Sequence, residues 1–368
     1  MRFLERGAPL MIVWAVYPRE GLGAFRASRP VSRPPGPRAR TVRRPRRQEE
    51  MNFMGAHARP NRFHRTGVRI ASVALVGAAL PIGAAGLAQA AAPDSTPHAT
   101  ATETGEEAAP AIKADHAFLL DARDGSQERE LWAGAKADES VPIASTTKIM
   151  TAVVVLKHPE WLERQITVKQ EYRDYVQKVG ASTADLQTGD TLTARQLLHA
   201  MLIPSGADAA RALADHFGNG DTEEARISDF IAQMNAEAQR LGLSGTHFDS
   251  VDGINDGNNH STARDLAKLG QRAMLQPVFA EVVKNTQYKT EAPAANGRTR
   301  YYTWNNTNEL LSTYDGALGV KTGSGPEDGY CVVFAAERDN RTLIGVILGD
   351  DTGRFDDATK VLDWGFAH

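Results

Sequence analysis

Apolar residues form three short unbroken runs near the C-terminus: 317–320 leading into Lys321-Thr322-Gly323, then 330–336, then 343–349. Glycines and Asp339-Asn340 bound them, and runs of that length between turn residues read as strands. Consecutive strands joined by short turns imply an antiparallel sheet. Residues 117–121 and 130–134 read as a further strand pair about Asp124-Gly125, although that loop is longer than two residues. Between these regions, 158–280 is mostly helical. Residues 193–202 carry apolar side chains at helical spacing, Pro204-Ser205 breaks the pattern, and a new helix starts at Gly206. Further helices run from Phe230 towards Leu241, from Ser261 with Asp265 in the first turn, and from Phe355 to Trp364. The fold class is α/β (α+β): an antiparallel sheet flanked by helices, with an inserted helical region.

The apolar run 149–156 follows directly on Ala144-Ser145-Thr146-Thr147-Lys148 and reads as a buried helix with a serine in its first turn. Positions three apart share a helix face, so the Lys148 amine can sit beside the Ser145 hydroxyl. A serine is a poor nucleophile near neutral pH without an adjacent base. A lysine is that base only if burial or a nearby cation pushes its pKa down, and the run after Lys148 would desolvate it. The helix N-terminus adds backbone N–H groups and positive dipole.

Alone, S-x-x-K is a weak signal and fits a Ser/Thr cap followed by an ordinary helical lysine better. Two further elements change the picture: Pro204-Ser205-Gly206-Ala207, and Lys321-Thr322-Gly323 on a strand. Together they read as an acyl-transfer site. Ser145 attacks a carbonyl and Lys148 takes its proton. Ser205 relays a proton to the leaving amine, since a hydroxyl both donates and accepts. Lys321 supplies positive charge for a free carboxylate, and the small residues Thr322 and Gly323 allow close approach. The backbone N–H groups of Ser145 and Ser324 are candidates for an oxyanion hole. Structural alternatives stand beside these roles. Ser205 with Asp208 resembles a capping box, and Lys321 alone would be a solvated lysine at a strand end.

Charge divides the chain. The first 90 residues hold 16 Arg and no Lys against 4 Glu, and the remaining 278 hold 26 basic and 41 acidic residues, a net of −15. The acidic part should be soluble and should avoid nucleic acid and anionic membrane surfaces. It is long enough for one large domain. Residues 1–60 read as a disordered basic stretch, rather than a nucleic-acid arm. It need not be translated, since Met51 and Met54 are alternative starts. Within 61–90, Arg62, His64, Arg65 and Arg69 precede an apolar stretch and Ala88-Gln89-Ala90, the three parts of a secretory signal peptide. Residues 91–112, rich in Ala, Thr, Pro and Glu, read as a flexible linker, and 113–368 as the folded domain.

The lone cysteine, Cys331, lies in a core strand and reads as a small buried hydrophobe. The loop from His247 to Asn255, with His260, offers many His and Asp side chains. Their order matches no metal-binding motif, and Asx-rich loops usually make turns. The sequence calls for no metal and no cofactor.

Five segments in order resemble the serine-type D-alanyl-D-alanine carboxypeptidases, the low-molecular-mass penicillin-binding proteins. They are Ile143-Ala144-Ser145-Thr146-Thr147-Lys148-Ile149-Met150-Thr151, Pro204-Ser205-Gly206-Ala207-Asp208-Ala209-Ala210, Gly245-Thr246-His247-Phe248, Ser261-Thr262-Ala263-Arg264-Asp265 and Gly319-Val320-Lys321-Thr322-Gly323. The resemblance covers about 114–368. It implies a β-lactamase/transpeptidase-like fold with the site between the sheet and the helical region. It also implies removal of the terminal D-alanine from peptidoglycan stem peptides, and acylation by β-lactams.

Two departures stand out. The family's central triplet usually ends in Asn, where this chain has Ala207, which has no amide to hold Lys148 or the substrate. The chain also stops four residues after Trp364, without the C-terminal β domain and amphipathic anchor of many relatives. That implies an exported form, secreted or cell-wall associated, with no membrane anchor of its own. Two rivals remain. One is a class A-like β-lactamase, which would need a deacylating carboxylate, and no E-x-x-L-N segment lies between Ser205 and Lys321. The other is a non-catalytic cell-wall peptide-binding domain, against which Ser145, Lys148 and Lys321 argue. A transpeptidase would use the same acyl-enzyme with an amine acceptor.

Overall fold

The strand runs at the two ends of the folded part come together in the computed structural model, which describes residues 108–122, 129–254, 258–351 and 353–368. First come β1 (His116–Asp121), β2 (Arg129–Ala133), β3 (Val141–Pro142), a 3₁₀ turn (Ala144–Thr147) and α1 (Lys148–Leu156). The helical region holds β4 (Gln165–Thr167), α2 (Gln170–Val179), β5 (Thr191–Thr193), α3 (Ala194–Leu202), α4 (Ala207–Phe217) and α5 (Glu223–Arg240). Then follow β6 (His260–Ser261), α6 (Ala263–Met274), α7 (Pro277–Val283), β7 (Gln287–Pro293), β8 (Thr299–Asn305) and α8 (Leu310–Thr313). The chain returns through β9 (Ala317–Gly325), β10 (Gly329–Arg338) and β11 (Arg341–Asp350) to α9 (Arg354–Ala367). All of these lie in one compact unit. The basic stretch 1–60, the signal segment 61–90, most of the linker 91–112, the Asp124-Gly125 turn and Asn255 lie outside the described residues.

The main sheet has the order β2-β1-β11-β10-β9, antiparallel throughout. The central stretches of its middle strands, 117–120, 331–336 and 343–348, are continuously apolar because both faces are covered. Val332, Phe334, Ala336, Leu343 and Ile347 pack with Ala358, Val361 and Leu362 of α9. Val333, Ala335, Ile344, Val346 and Leu348 join the larger cluster that includes Leu266 and Leu269 of α6. That cluster runs on through α1 into α3, α4 and α5. Each fully buried aliphatic side chain stabilises the fold by about 1.5–3 kcal/mol relative to exposure, so these two layers hold the sheet against the helices.

Local signals set the helix boundaries. Thr193 and Gln196 form a reciprocal capping box on α3. Thr222 caps α5, and Thr262 caps α6 by accepting from the Asp265 N–H. The helical region carries its own buried ion network, in which the Asp215 carboxylate accepts from Tyr172 Oη at 2.5 Å, from Arg226 Nε at 2.7 Å and from Lys169. The β7–β8 hairpin is an element that apolar periodicity does not reveal. Its strands alternate half-buried or buried positions with exposed ones, and Asn296-Gly297 turns the corner with Gly297 at φ +77°. Asn-Gly is the strongest short hairpin signal, and it stands in the sequence.

Candidate active site

Ser145 sits in the 3₁₀ turn and Lys148 is the first residue of α1. In a 3₁₀ turn side chains three apart eclipse one another, so the amine and hydroxyl stand on one line along the turn. Lys148 Nζ lies 2.8 Å from Ser145 Oγ and donates to the backbone carbonyl of Asp252 at 2.6 Å. Lys148 is 1 % exposed. Burial pushes its amine down from an ordinary 10.5 to about 8, against the opposing pull of the Asp252 and Asp208 carboxylates.

The turn is held in an unusual shape from three sides. Ala144, just before the serine, has φ +47°, a left-handed conformation that costs a residue with a Cβ on the order of 1–3 kcal/mol. Its N–H donates to Asp328 Oδ1 at 3.1 Å. Burial raises the Asp328 carboxyl's pKa, and the hydrogen bond from Ala144 works against that rise. Two glycines let the neighbouring backbone close in. A Cβ on Gly253, which has φ +90°, would lie 1.9 Å from the Ala144 carbonyl oxygen. One on Gly323 would lie 3.0 Å from the Ile143 oxygen and 3.2 Å from the Ser145 nitrogen. The glycine of the Lys321-Thr322-Gly323 element therefore brings β9 against the serine turn.

The loop opposite the turn is held by side chains of the neighbouring helices and by its own Asp252. Thr151 Oγ1 donates to the Val251 carbonyl at 2.6 Å, and Asn235 clasps the backbone of Phe248 through both its N–H and its carbonyl. Asp252 Oδ2 accepts from Tyr175 Oη at 2.9 Å, and Asp252 Oδ1 from the Ile254 N–H at 3.0 Å. His247 and His260 pair through their backbones. Among the described residues no three His, Cys, Asp or Glu side chains converge as a metal site.

Ser205 is buried with φ +67°, and its hydroxyl has no hydrogen-bond partner among the described residues. The capping-box reading of Ser205 with Asp208 does not hold. The N-cap of α4 is Gly206 without a side-chain bond. The Asp208 carboxylate is taken by Thr183 Oγ1 at 2.8 Å and by the N–H groups of Ala184, Leu186 and Ala209. That loses a cap but fixes the 183–186 loop to α4. Ala207 contributes its N–H to the Ser182 carbonyl at 2.9 Å.

Lys321 is 1 % exposed on β9, and its amine donates to the Thr322 carbonyl at 3.0 Å. Burial, together with the charges of Lys148 and Arg354, holds it well below its ordinary pKa. It is therefore no solvated strand-end lysine. Thr322 Oγ1 lies 2.6 Å from Thr307 Oγ1, and the Gly323 carbonyl accepts from Arg354 at 2.6 Å. Cys331 is buried, its thiol pushed up to about 12 by burial.

A cavity of about 520 Å³ opens over this arrangement. It is lined by Ser145 and Lys148, by 179–182 of the helical region, by Gly253 and Ile254, and by 324–328 after β9. Ser145, Lys148 and Ser324 thus share one lining, whereas Ser205, Lys321, Thr322 and Gly323 are not part of it.

A family model described as D-alanyl-D-alanine carboxypeptidase matches residues 102–352. The chain belongs to that family. A D-alanyl-D-alanine carboxypeptidase of Streptomyces is 48% identical over 235 residues, spanning 63% of this chain and 81% of that one. One of Mycobacterium tuberculosis is 33% identical over 245 residues, 65% of this chain and 78% of that one. The crystal structure of a DD-transpeptidase from the same Streptomyces strain superposes with a TM-score of 0.69 at 46% identity, covering 71% of this chain and all of that chain. The chain is thus a serine-type D-Ala-D-Ala peptidase with the penicillin-binding fold. In this D-Ala-D-Ala peptidase, residue patterns had not pointed to Tyr175, the Asp252 carbonyl or Asp328. A backbone acceptor carries no residue signature, and nothing in the spacing links Tyr175 to Asp252, 77 positions away.

Proposed function

We propose that the protein is an exported carboxypeptidase that removes the terminal D-alanine of peptidoglycan stem peptides through an ester on Ser145. The observation that carries the reading is the 2.8 Å contact between Ser145 and a buried lysine whose amine sits at about 8, in a chain of this family. A neutral Lys148 takes the Ser145 proton as Oγ attacks the carbonyl of the penultimate D-alanine. The N–H groups of Ser145 and Ser324 stabilise the resulting oxyanion. Collapse breaks the C–N bond. The lysine proton returns through the Ser205 hydroxyl to the leaving amine of D-alanine, a role that suits a buried hydroxyl with bonding capacity to spare. Water then hydrolyses the ester, with Lys148 again as base.

Lys321, with Thr322 and Gly323 beside it, would receive the substrate's terminal carboxylate. Its depressed pKa does not exclude this. An arriving anion favours the charged form of a nearby amine, so binding would restore the proton. A β-lactam would acylate Ser145 in the same way and remain as a covalent inhibitor. The signal-like segment 61–90 supports export. Among the described residues no helix is long and apolar enough to cross a membrane. Family membership favours this reading over a β-lactamase or a binding domain.

The test is labelling of the purified protein with a fluorescent penicillin, beside Ser145→Ala. A stable adduct on the parent and none on the variant is the expected result, followed by D-alanine release from a D-Ala-D-Ala peptide. Penicillin consumed without a stable adduct would favour the β-lactamase. No adduct, with the penicillin left intact, would favour the binding domain.

A further inference from the structure

Lys148 needs more than a depressed pKa. Its Nζ must point at Ser145 Oγ, and the groups that aim it are few. Two residues after Ser205, at the start of α4, the chain offers only the Ala207 methyl group, and the Ala207 N–H is spent on the Ser182 carbonyl. The other hydrogen bond that holds Nζ comes from the Asp252 carbonyl, at 2.6 Å. A backbone carbonyl is only as well placed as its loop, and this loop leads into residues 255–257, beyond the described part. Thr151 Oγ1 on the Val251 carbonyl and the Gly253 N–H on Ser250 Oγ hold the loop on either side, and the Asp252 side chain fixes the residue whose carbonyl meets the lysine. One carboxylate oxygen takes the Ile254 N–H at 3.0 Å, closing the turn, and the other takes Tyr175 Oη from α2 at 2.9 Å. Asp252 is fully buried, so a carboxylate there without such partners would be strongly disfavoured. The Arg211 guanidinium lies 4.5 Å over the Tyr175 ring and fixes it from the other side.

We infer that Tyr175 and Asp252 are positioning residues for Lys148: the Tyr175 hydroxyl locks the Asp252 carboxylate, the carboxylate shapes the turn, and the turn's carbonyl aims the Lys148 amine at Ser145. The inference rests on Ser145 being the acylated residue and Lys148 its base. The pair acts on the lysine in two separable ways. Geometry comes through the carbonyl. Charge comes through the carboxylate, which favours the protonated amine. The other charged groups around Lys148 are Asp208 on α4, which acts in the same sense, and Lys321 on β9, whose own amine is held down by Lys148.

The experiment measures the rate of penicillin acylation across pH for the purified protein and for Tyr175→Phe and Asp252→Asn, with thermal unfolding as a check on folding. Tyr175→Phe keeps the charge and loosens the carbonyl, so its plateau rate should fall on the order of tenfold or more, with non-covalent penicillin binding little changed. Asp252→Asn removes the charge. The lysine then loses its proton more easily, and the midpoint of the pH profile should move down by about one unit. A parental plateau in a folded Tyr175→Phe, or an unmoved midpoint in Asp252→Asn, overturns the inference. Loss of stability alone lowers amplitudes without moving a midpoint. Absence of any Ser145 adduct in the parent instead removes the underlying reading, and the positioning role with it.

Discussion

A lysine buried against a serine is costly to keep, and the cost has a sign. The Lys148 amine sits at about 8 in the folded protein and near 10.5 when released. Between those values the unfolded chain binds more protons than the folded one, so stability rises with pH across that window. At roughly 1.4 kcal/mol per unit the whole effect is about 3 kcal/mol. The charged amine therefore destabilises the fold at pH 7, and the penalty fades as the solution approaches pH 10.5. Lys148→Met keeps the stem and removes the titration. Comparing the two proteins by denaturant unfolding, the parent should gain about 3 kcal/mol relative to the variant between pH 7 and 10.5. A constant difference across that range would mean that Lys148 is not depressed and is a poor candidate for a base. The residue pair Ser145 and Lys148 was legible from spacing alone, because only an i, i+3 relation was needed. The depression was legible as an expectation, from the apolar run behind the lysine.

Elements bring these residues to their places through contacts that side-chain chemistry does not announce. The 3₁₀ turn before α1 survives with Ala144 in a left-handed conformation because Gly253 and Gly323 allow two other segments to press on it. Gly253→Ala would put a methyl group 1.9 Å from the Ala144 oxygen, on a residue whose φ of +90° already disfavours a side chain. Backbone must move, and the movement falls on the serine turn and on the Asp252 carbonyl together. The expected outcome is loss of penicillin acylation by at least about a hundredfold, together with a lowered unfolding midpoint. A variant that acylates at the parental rate would show that the turn tolerates displacement. The inner strands of the main sheet were readable because burial on both faces leaves continuous apolar runs, α3 and α6 because their spacing and caps are local, and α4 by its spacing and the Pro204-Ser205 break before it, without a side-chain cap. The β7–β8 hairpin was missed, since its strands are half exposed and its only announcement is Asn296-Gly297. The Ser205–Asp208 cap was misread for a related reason. Sequence proximity suggested a local bond, while the carboxylate was drawn to unpaired N–H groups of the 183–186 loop, more than twenty positions away.

The whole molecule places a cavity of about 520 Å³ between segments of two origins, 179–182 from the helical region and 324–328 from the end of the sheet. Ser145 and Lys148 lie on that lining, so an ester on Ser145 would face the cavity, and either water or an amine could reach it from there. Relatives carry the names carboxypeptidase and DD-transpeptidase, and in the mechanism proposed above hydrolysis and amide formation would be two fates of one ester. In that mechanism, formation of the ester would release D-alanine before the acceptor is chosen. If ester formation limits turnover, an added amine acceptor cannot change the rate of D-alanine release. It can only divert the acyl group from hydrolysed product to a new amide. The expected result with a D-Ala-D-Ala peptide and rising glycine or dipeptide acceptor is a constant D-alanine rate, falling hydrolysis product and rising amide product, with the last two summing to the first. Acceleration of D-alanine release by the acceptor would place the slow step after the ester, where the amine outcompetes water. Hydrolysis product undiminished at high acceptor concentration would mean that the cavity admits water but not the amine, and would fix the protein as a carboxypeptidase alone.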